Sequence, residues 1–130
     1  MYYIKETQKN FRDAATDLET CIKKNGFGIL HIHNIGETLR SKGVAFQEEC
    51  KVFEICNPQQ AWRVLQSDLR LNMALPCRIS IYTENQKTRI GMIKPDSILS
   101  MLSSDPALQA VASEVEDSTR KMIDEAIQDL

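Results

Sequence analysis

The stretch "FEICNPQQAW", Phe53 to Trp62, changes character in its middle. It begins as an apolar, strand-like run and breaks at Asn57-Pro58, and the pattern that follows is helical. Asn57 can cap that helix through its side-chain oxygen, and Pro58 fits the first helical position, where no N–H is needed. Cys56 therefore stands on the last step of a strand, directly before a turn into a helix.

A second cysteine marks the start of another strand. In "ALPCRISIY", Cys77 follows a proline and lies 21 positions after Cys56. Side-chain alternation puts Cys77 on the face of Ile79, and it puts Cys56 on the face opposite Ile55. The alternation thus predicts that the two sulfurs point to opposite sides of the sheet, unless a bulge or a bend at the prolines brings them round.

Further patterns of the same kind run along the chain. Predicted strands cover Tyr2–Glu6, Phe27–His33, Cys50–Cys56, Cys77–Thr83 and Arg89–Ile93, the last two joined by the turn "TENQKT". Predicted helices cover Asn10–Lys24, Glu37–Lys42, 58 to about 68, a short one capped by Asp96 through Leu102, and a long one from Pro106 to about Gln128. The long helix carries a stripe of Leu108, Val111, Val115 and Met122. We predict a single α+β domain over residues 1–130: an antiparallel sheet of about five strands with the first and the long helix on one face.

Bulk composition narrows the class of protein. The chain has 130 residues, 42% of them hydrophobic, and a net charge of -2, which argues against a general nucleic-acid binder. No apolar run approaches the ~20 residues that span a bilayer, and "MYYIKETQKN" has no basic region followed by an apolar stretch. We therefore expect no signal peptide and a cytoplasmic protein without a membrane partner. The four cysteines contain no C-x-x-C and are expected to be reduced thiols.

Four stretches carry a resemblance to a known family: "NGFGIL", "CNPQQAWRVLQSD", "LPCRISIY" and "IGMIKPDSIL". From about Tyr3 to Ile127 the chain resembles the family called domain of unknown function 302. The resemblance implies a TATA-binding-protein-like α+β fold, with one curved antiparallel sheet and a long helix across it. It also implies a small cytoplasmic protein, usually bacterial or archaeal, that forms dimers. It implies no established activity, and likeness of fold to a DNA-binding protein carries no DNA-binding function.

The candidate ligand-binding residues are Cys56, Asn57, Pro58, Pro76 and Cys77, which lie in the two most specific motifs. One interpretation is a redox or sulfur-handling pair, in which one thiolate attacks and the other resolves; such a pair needs Cα atoms within about 7 Å. The interpretation we favour is that the cysteines are small buried hydrophobes, not joined by a disulfide. For Asn57, capping is favoured over anion binding.

Other residues give weaker indications. His31 and His33 lie two apart on a strand, with imidazoles predicted about 6–7 Å apart, and could hold a metal only with a third ligand that the sequence does not supply. We therefore favour a solvated sheet face, or a histidine pair packed under a loop, and predict no metal site and no cofactor. Trp62 and Met73 could line a small cavity, although ordinary core positions are favoured for both.

The function predicted from these patterns is a dimeric, non-catalytic module for a small ligand or a protein partner. No Gly-x-Ser-x-Gly, His-Glu-x-x-His or Walker motif is present, so no catalytic residue is assigned and an enzyme is not favoured. The alternative is a thiol-based redox or sulfur-handling protein that uses Cys56 or Cys77. The dimer is expected to form through the sheet face that the helices leave open, where Val52, Cys56 and the histidines are placed.

Overall fold

Five strands and six helical segments form residues 1–128, the part of the chain that the computed structural model describes. The strands are β1 (Tyr2–Thr7), β2 (Gly28–Asn34), β3 (Cys50–Cys56), β4 (Cys77–Glu84) and β5 (Lys87–Ile93). The helices are α1 (Phe11–Lys24), α2 (Ile35–Ser41), α3 (Pro58–Ser67), α4 (Pro95–Leu102) and α5 (Pro106–Ala126). A 3-10 helix, Leu69–Ala74, lies between α3 and β4 and was not predicted.

Polar side chains begin most of the long helices. Asn10, Asn57 and Asp105 each accept a hydrogen bond from a backbone N–H in the first turn of α1, α3 and α5. The prediction that Asp96 caps α4 is wrong, because α4 begins at Pro95 and Asp96 lies inside its first turn. The cap position is Lys94, which makes no side-chain capping bond.

The end of α1 follows the Schellman pattern. Gly26 has a φ of +83°, a conformation that costs glycine little because it has no Cβ. Its N–H donates to the carbonyl of Lys23 (3.1 Å), and the N–H of Phe27 donates to that of Ile22 (3.2 Å). The chain thereby turns out of α1 directly into β2.

All five strands form one antiparallel sheet in the order β1-β5-β4-β3-β2. The sheet is open, with β1 and β2 at its edges, and the predicted fold class is confirmed. Asn85 and Gln86 join β4 to β5 with φ values of 52° and 66°, which are the two positive φ angles of a type I′ hairpin turn.

The core lies between one face of this sheet and the helices. Alternate residues of β3, β4 and β5 are buried there against α1 and α5; the most enclosed are Phe53, Ile55, Ile79, Ile81 and Ile90. The predicted stripe of α5 is confirmed, since Leu108, Val111, Val115 and Met122 are all buried. In residues 1–128 no helix combines the length and the apolar character needed to cross a membrane.

Two predicted core positions are wrong. Trp62 is 58% exposed and Met73 is 80% exposed. On α3 the buried residue is Val64, and a residue two positions earlier lies about 200° around the helix, on the solvent side.

The other sheet face is not covered by the helices that build the core. Tyr2, Ile4 and Ile93 are exposed there, and Val52 is half-buried. Ile4 lies against Gly91, where an added Cβ would meet the Ile4 Cγ1 at 2.8 Å. We call this surface the open face.

Candidate ligand-binding site

A cavity of about 300 Å³ lies where β3 ends and α3 begins. We call it the cysteine cavity, because Cys56 and Cys77 both line it. Its lining also includes Asn57, Gln60, Leu75, Pro76, Val64 and Val115. Four of the five predicted site residues therefore meet at one cavity, and the fifth, Pro58, is exposed and is not among the lining residues.

The sheet register explains why the two cysteine motifs meet. In the antiparallel pairing of β3 with β4, Ile55 stands opposite Cys77, so the end of one strand lies beside the start of the other. Cys77 shares the buried face of Ile79, as alternation predicts. Cys56 is the last residue of β3 and also lines the cavity. That the two sulfurs point to opposite sides of the sheet, as alternation indicates, stays a prediction.

The environment of Cys77 opposes activation of its thiol. Burial, and second the nearby Cys56, raise the pKa of Cys77 to about 11. A thiol with that pKa is almost wholly protonated at neutral pH, and the thiolate is the nucleophilic form. All four cysteines, each in the described part of the chain, are free thiols.

Asn57 has a structural role that the motif predicted. Its side-chain oxygen accepts from the Gln60 N–H (3.1 Å), which caps α3. Its amide nitrogen donates to the carbonyl of Gly26 (3.2 Å), which ties the start of α3 to the start of β2. Both polar ends of Asn57 are thus used within the fold.

Gln60 is a polar residue of this cavity that the sequence did not single out. Its Oε1 is buried and has no hydrogen-bond partner among the described residues. Buried polar atoms in folded proteins are nearly always paired, so this oxygen is free to accept a hydrogen bond from a molecule in the cavity. A glutamine in the first turn of a helix carries no pattern that could have revealed this.

A second cavity, of about 260 Å³, lies beside the first, between the starting half of β4 and the end of β5. Four residues line both cavities: Leu75, Pro76, Cys77 and Leu99. The second cavity is also lined by Arg78, Ser80 and Ile93 of the strands and by Ile98 of α4. We call it the strand slot.

The slot exists because β4 and β5 separate. Their pairing runs from the turn only as far as Ser80 opposite Gly91. Beyond this point β4 stays paired with β3, and β5 stays paired with β1 out to Ile93 opposite Tyr2. The two strands diverge between these partners, and the gap opens within the sheet itself.

The histidine pair lies at another place on the sheet. His31 and His33 share a face, as predicted, but their ring centroids are 4.4 Å apart, closer than the predicted spacing. The Nε2 of His33 lies 2.5 Å from a carboxylate oxygen of Glu54, and this hydrogen bond lowers the pKa of Glu54. Residues 1–128 contain no group of three histidine, cysteine or acidic side chains placed to hold a metal ion.

Comparison with known proteins identifies the family of the chain. The family model described as domain of unknown function DUF302 matches residues 3–126. The chain belongs to this family. It is also similar to a solved structure, that of the uncharacterized conserved DUF302 protein from Bacillus stearothermophilus, with 34% sequence identity, 98% of each chain covered and a TM-score of 0.91. A comparison with curated proteins finds no match.

Proposed function

We propose that this DUF302 protein is a non-catalytic module that binds a small, largely apolar ligand in the cysteine cavity. The observation that carries the proposal is a cavity of about 300 Å³ whose wall holds one buried, unpartnered acceptor, the Oε1 of Gln60, among the described residues. Ligand sites are typically concave, mostly apolar and supplied with few polar groups that fix orientation.

The wall specifies the chemistry of the ligand. Val64 and Val115 supply apolar contact, while Cys77, with its raised pKa, is a neutral thiol. Among the described residues that line this cavity none is charged, so a charged ligand would lose its hydration without compensation from them. The ligand class is therefore neutral and apolar, with one O–H or N–H that reaches Gln60.

The test uses 1-hexanol as the probe in an NMR titration of the backbone amides. The expected result is a saturable shift of amides around the cavity, including those of Cys56 and Cys77. Ala61→Phe adds a ring at the cavity wall and should abolish the shift. Gln66→Phe, at an exposed position of the same helix, is the matched control and should leave binding intact. Absence of a saturable shift in the parent, or equal binding by both variants, would contradict the proposal.

The role of Gln60 has its own test. Gln60→Met keeps the length of the side chain and removes its acceptor. Compared with the parent, it should bind 1-hexanol about tenfold more weakly, because the buried hydroxyl would lose its partner, whereas 1-chlorohexane should bind both equally. An unchanged preference between the two probes would show that Gln60 does not hydrogen-bond to the hydroxyl group of the ligand.

A thiol-based function is the alternative, and one observation favours it: Cys56 and Cys77 line the same cavity. The raised pKa of Cys77 weighs against Cys77 as the attacking group. Cys56 would then have to attack. Two results together would refute the thiol-based function and leave only the binding function. The Cys56→Ser protein would bind the apolar probe like the parent, and the parent would form no mixed disulfide with glutathione disulfide at pH 7.

We also propose that the protein is a cytoplasmic homodimer that associates through the open face. The exposed Tyr2, Ile4 and Ile93 give this face an apolar character, and a two-fold axis would bring the same residues of two copies together. Sedimentation equilibrium at micromolar concentration should give twice the 14.8 kDa mass of the chain. Ile4→Arg should shift the equilibrium to monomer. Leu102→Arg, a similar change at an exposed position of α4, should not, and a monomeric parent would refute the dimer.

A further inference from the structure

The direction of the backbone groups along β4 and β5 can be determined at the strand slot. The N–H of Thr83 donates to the backbone carbonyl of Glu49, the residue before β3 (3.0 Å). Thr83 and every second residue before it in β4 therefore point their backbone N–H and C=O toward β3. The residues between them, including Ser80 and Arg78, point theirs toward β5.

The same reasoning applies to β5. The N–H of Lys94 donates to the carbonyl of Met1 (2.8 Å), so the backbone N–H and C=O of Lys94 point toward β1. Those of Ile93, the residue before it, point toward β4. Ser80 and Gly91 form the last pair of the β4–β5 ladder. The next hydrogen-bonded pair would be Arg78 with Ile93, and this pair is not formed. Both residues line the strand slot.

We propose that the strand slot is a second ligand site, which takes a secondary amide flanked by small apolar groups. The C=O and N–H of one trans amide point in opposite directions. One such amide can therefore accept from an N–H of one strand and donate to a C=O of the other, which satisfies one backbone group on each side of the missing pair between Arg78 and Ile93. The backbone groups of Arg78 and Ile93 that face the gap have no ladder partner in the pairing of β4 with β5, and an amide can pair with them where a purely apolar ligand cannot.

The walls of the slot limit the size of the amide's substituents. Ile98 and Leu99 of α4 lie on one side, and Leu75 and Pro76 close the end next to the cysteine cavity. The volume of about 260 Å³ suits a small molecule rather than a strand of another protein. The slot shares four lining residues with the cysteine cavity, but the backbone groups of Arg78 and Ile93 belong to the slot alone, so the proposal does not rest on ligand binding in the cysteine cavity.

The experiment compares N-propylbutanamide with propyl butanoate, which has the same skeleton with the amide N–H replaced by an ester oxygen. In an NMR titration the amide should shift the backbone N–H signals of Arg78 and Ile93. The ester should bind at least tenfold more weakly, because one strand carbonyl would be left unpaired. Equal affinity for the two compounds, or shifts confined to the cysteine cavity, would overturn the proposal.

Two further measurements guard the result. Ile98→Trp should fill the slot and abolish amide binding, whereas Met101→Trp, at an exposed position of the same helix, should not. In the free parent, the amides of Arg78 and Ile93 should exchange with solvent faster than those of Ser80 and Gly91. Slow exchange at Arg78 and Ile93 would mean that the pair is closed in solution, and the proposal would fail even if the tryptophan variant did not fold. Binding of 1-hexanol in the cysteine cavity would be unaffected by that outcome.

Discussion

The environment of Cys77 makes its reactivity predictable. Its pKa rises from an ordinary 9.0 to about 11. At pH 8 the thiolate fraction therefore falls from roughly 10% to roughly 0.1%, a hundredfold loss of the reactive form. A more basic thiolate is intrinsically more nucleophilic, with a Brønsted coefficient of about 0.4–0.5, which recovers slightly under tenfold over two pKa units. The net expectation is a reaction at least tenfold slower than that of an unfolded thiol, before any steric protection.

The assay uses a variant in which Cys21, Cys50 and Cys56 are serine, so that only Cys77 reacts with 4,4′-dipyridyl disulfide. The folded variant is compared with the same protein in guanidinium chloride, and the pH profile separates ionisation from steric protection. The observed rate of the folded protein should still rise tenfold per pH unit above pH 9. A rate that levels off near pH 8 or 9 would refute the reasoning, because it would mean an ordinary thiol.

The raised pKa of Cys77 also makes the free energy of unfolding depend on pH. Cys77 has a higher pKa folded than unfolded, so its contribution is fully present below the unfolded value of 9.0 and is lost as the pH rises toward about 11. Two pKa units correspond to about 3 kcal/mol. The difference in unfolding free energy between the parent and Cys77→Ala should therefore shift by up to that amount, in favour of the variant, between pH 8 and pH 11. A difference that stays constant over this range would show that the thiol is not desolvated.

Three further substitutions test the fold. Val111→Asp puts an unpaired charge in a fully buried position of α5 and should lower the free energy of unfolding by about 4 kcal/mol or more in urea, whereas Gln109→Asp at an exposed position of the same helix should change it by less than about 0.5. Gly91→Ala should cost roughly 1–3 kcal/mol, because its Cβ would meet Ile4 at 2.8 Å, and adding Ile4→Ala should recover part of the loss; an unchanged melting temperature in Gly91→Ala would contradict the packing described. Asn57→Ala removes the cap of α3 and should cost about 1 kcal/mol in thermal unfolding, with a loss near zero showing that the cap is replaced by water.

The strand ends were predictable because local chemistry marks them. Asn57-Pro58 combines a capping side chain with a residue that suits the first helical position, so the end of β3 at Cys56 follows from the sequence. The apolar alternation of β4 gives the side of the sheet that Cys77 faces. The four predicted residues of the cysteine cavity, by contrast, came from the two most specific motifs of the family resemblance, because alternation alone put Cys56 and Cys77 on opposite faces.

Contacts between distant segments were not predictable in this way. The unpaired oxygen of Gln60 depends on which residues of the 3-10 helix and α5 pack against α3, and no period in the sequence records that. The exposure of Trp62 was missed because an aromatic residue beside apolar neighbours favours a buried position by composition alone. The sequence predicts the hairpin of β4 and β5, and a hairpin pattern predicts hydrogen-bonded pairing along both strands. The pairing of β5 with β1, which accompanies the early end of this ladder, cannot be predicted from the residues of β4.

The pairing of β4 with β3 and of β5 with β1 also fixes the shape of the strand slot. Cys77 is held opposite Ile55, and Ile93 is held opposite Tyr2, with one further bond from Lys94 to Met1 beyond it. Closing the slot would require either β4 to leave β3 or β5 to leave β1, which costs existing hydrogen bonds to form a single new pair. The gap is therefore set by the pairing on both sides and is present before any ligand arrives. A site of this kind spends little of its binding free energy on ordering the protein, so the affinity of an amide ligand should depend on its fit to Arg78 and Ile93 and not on a conformational change.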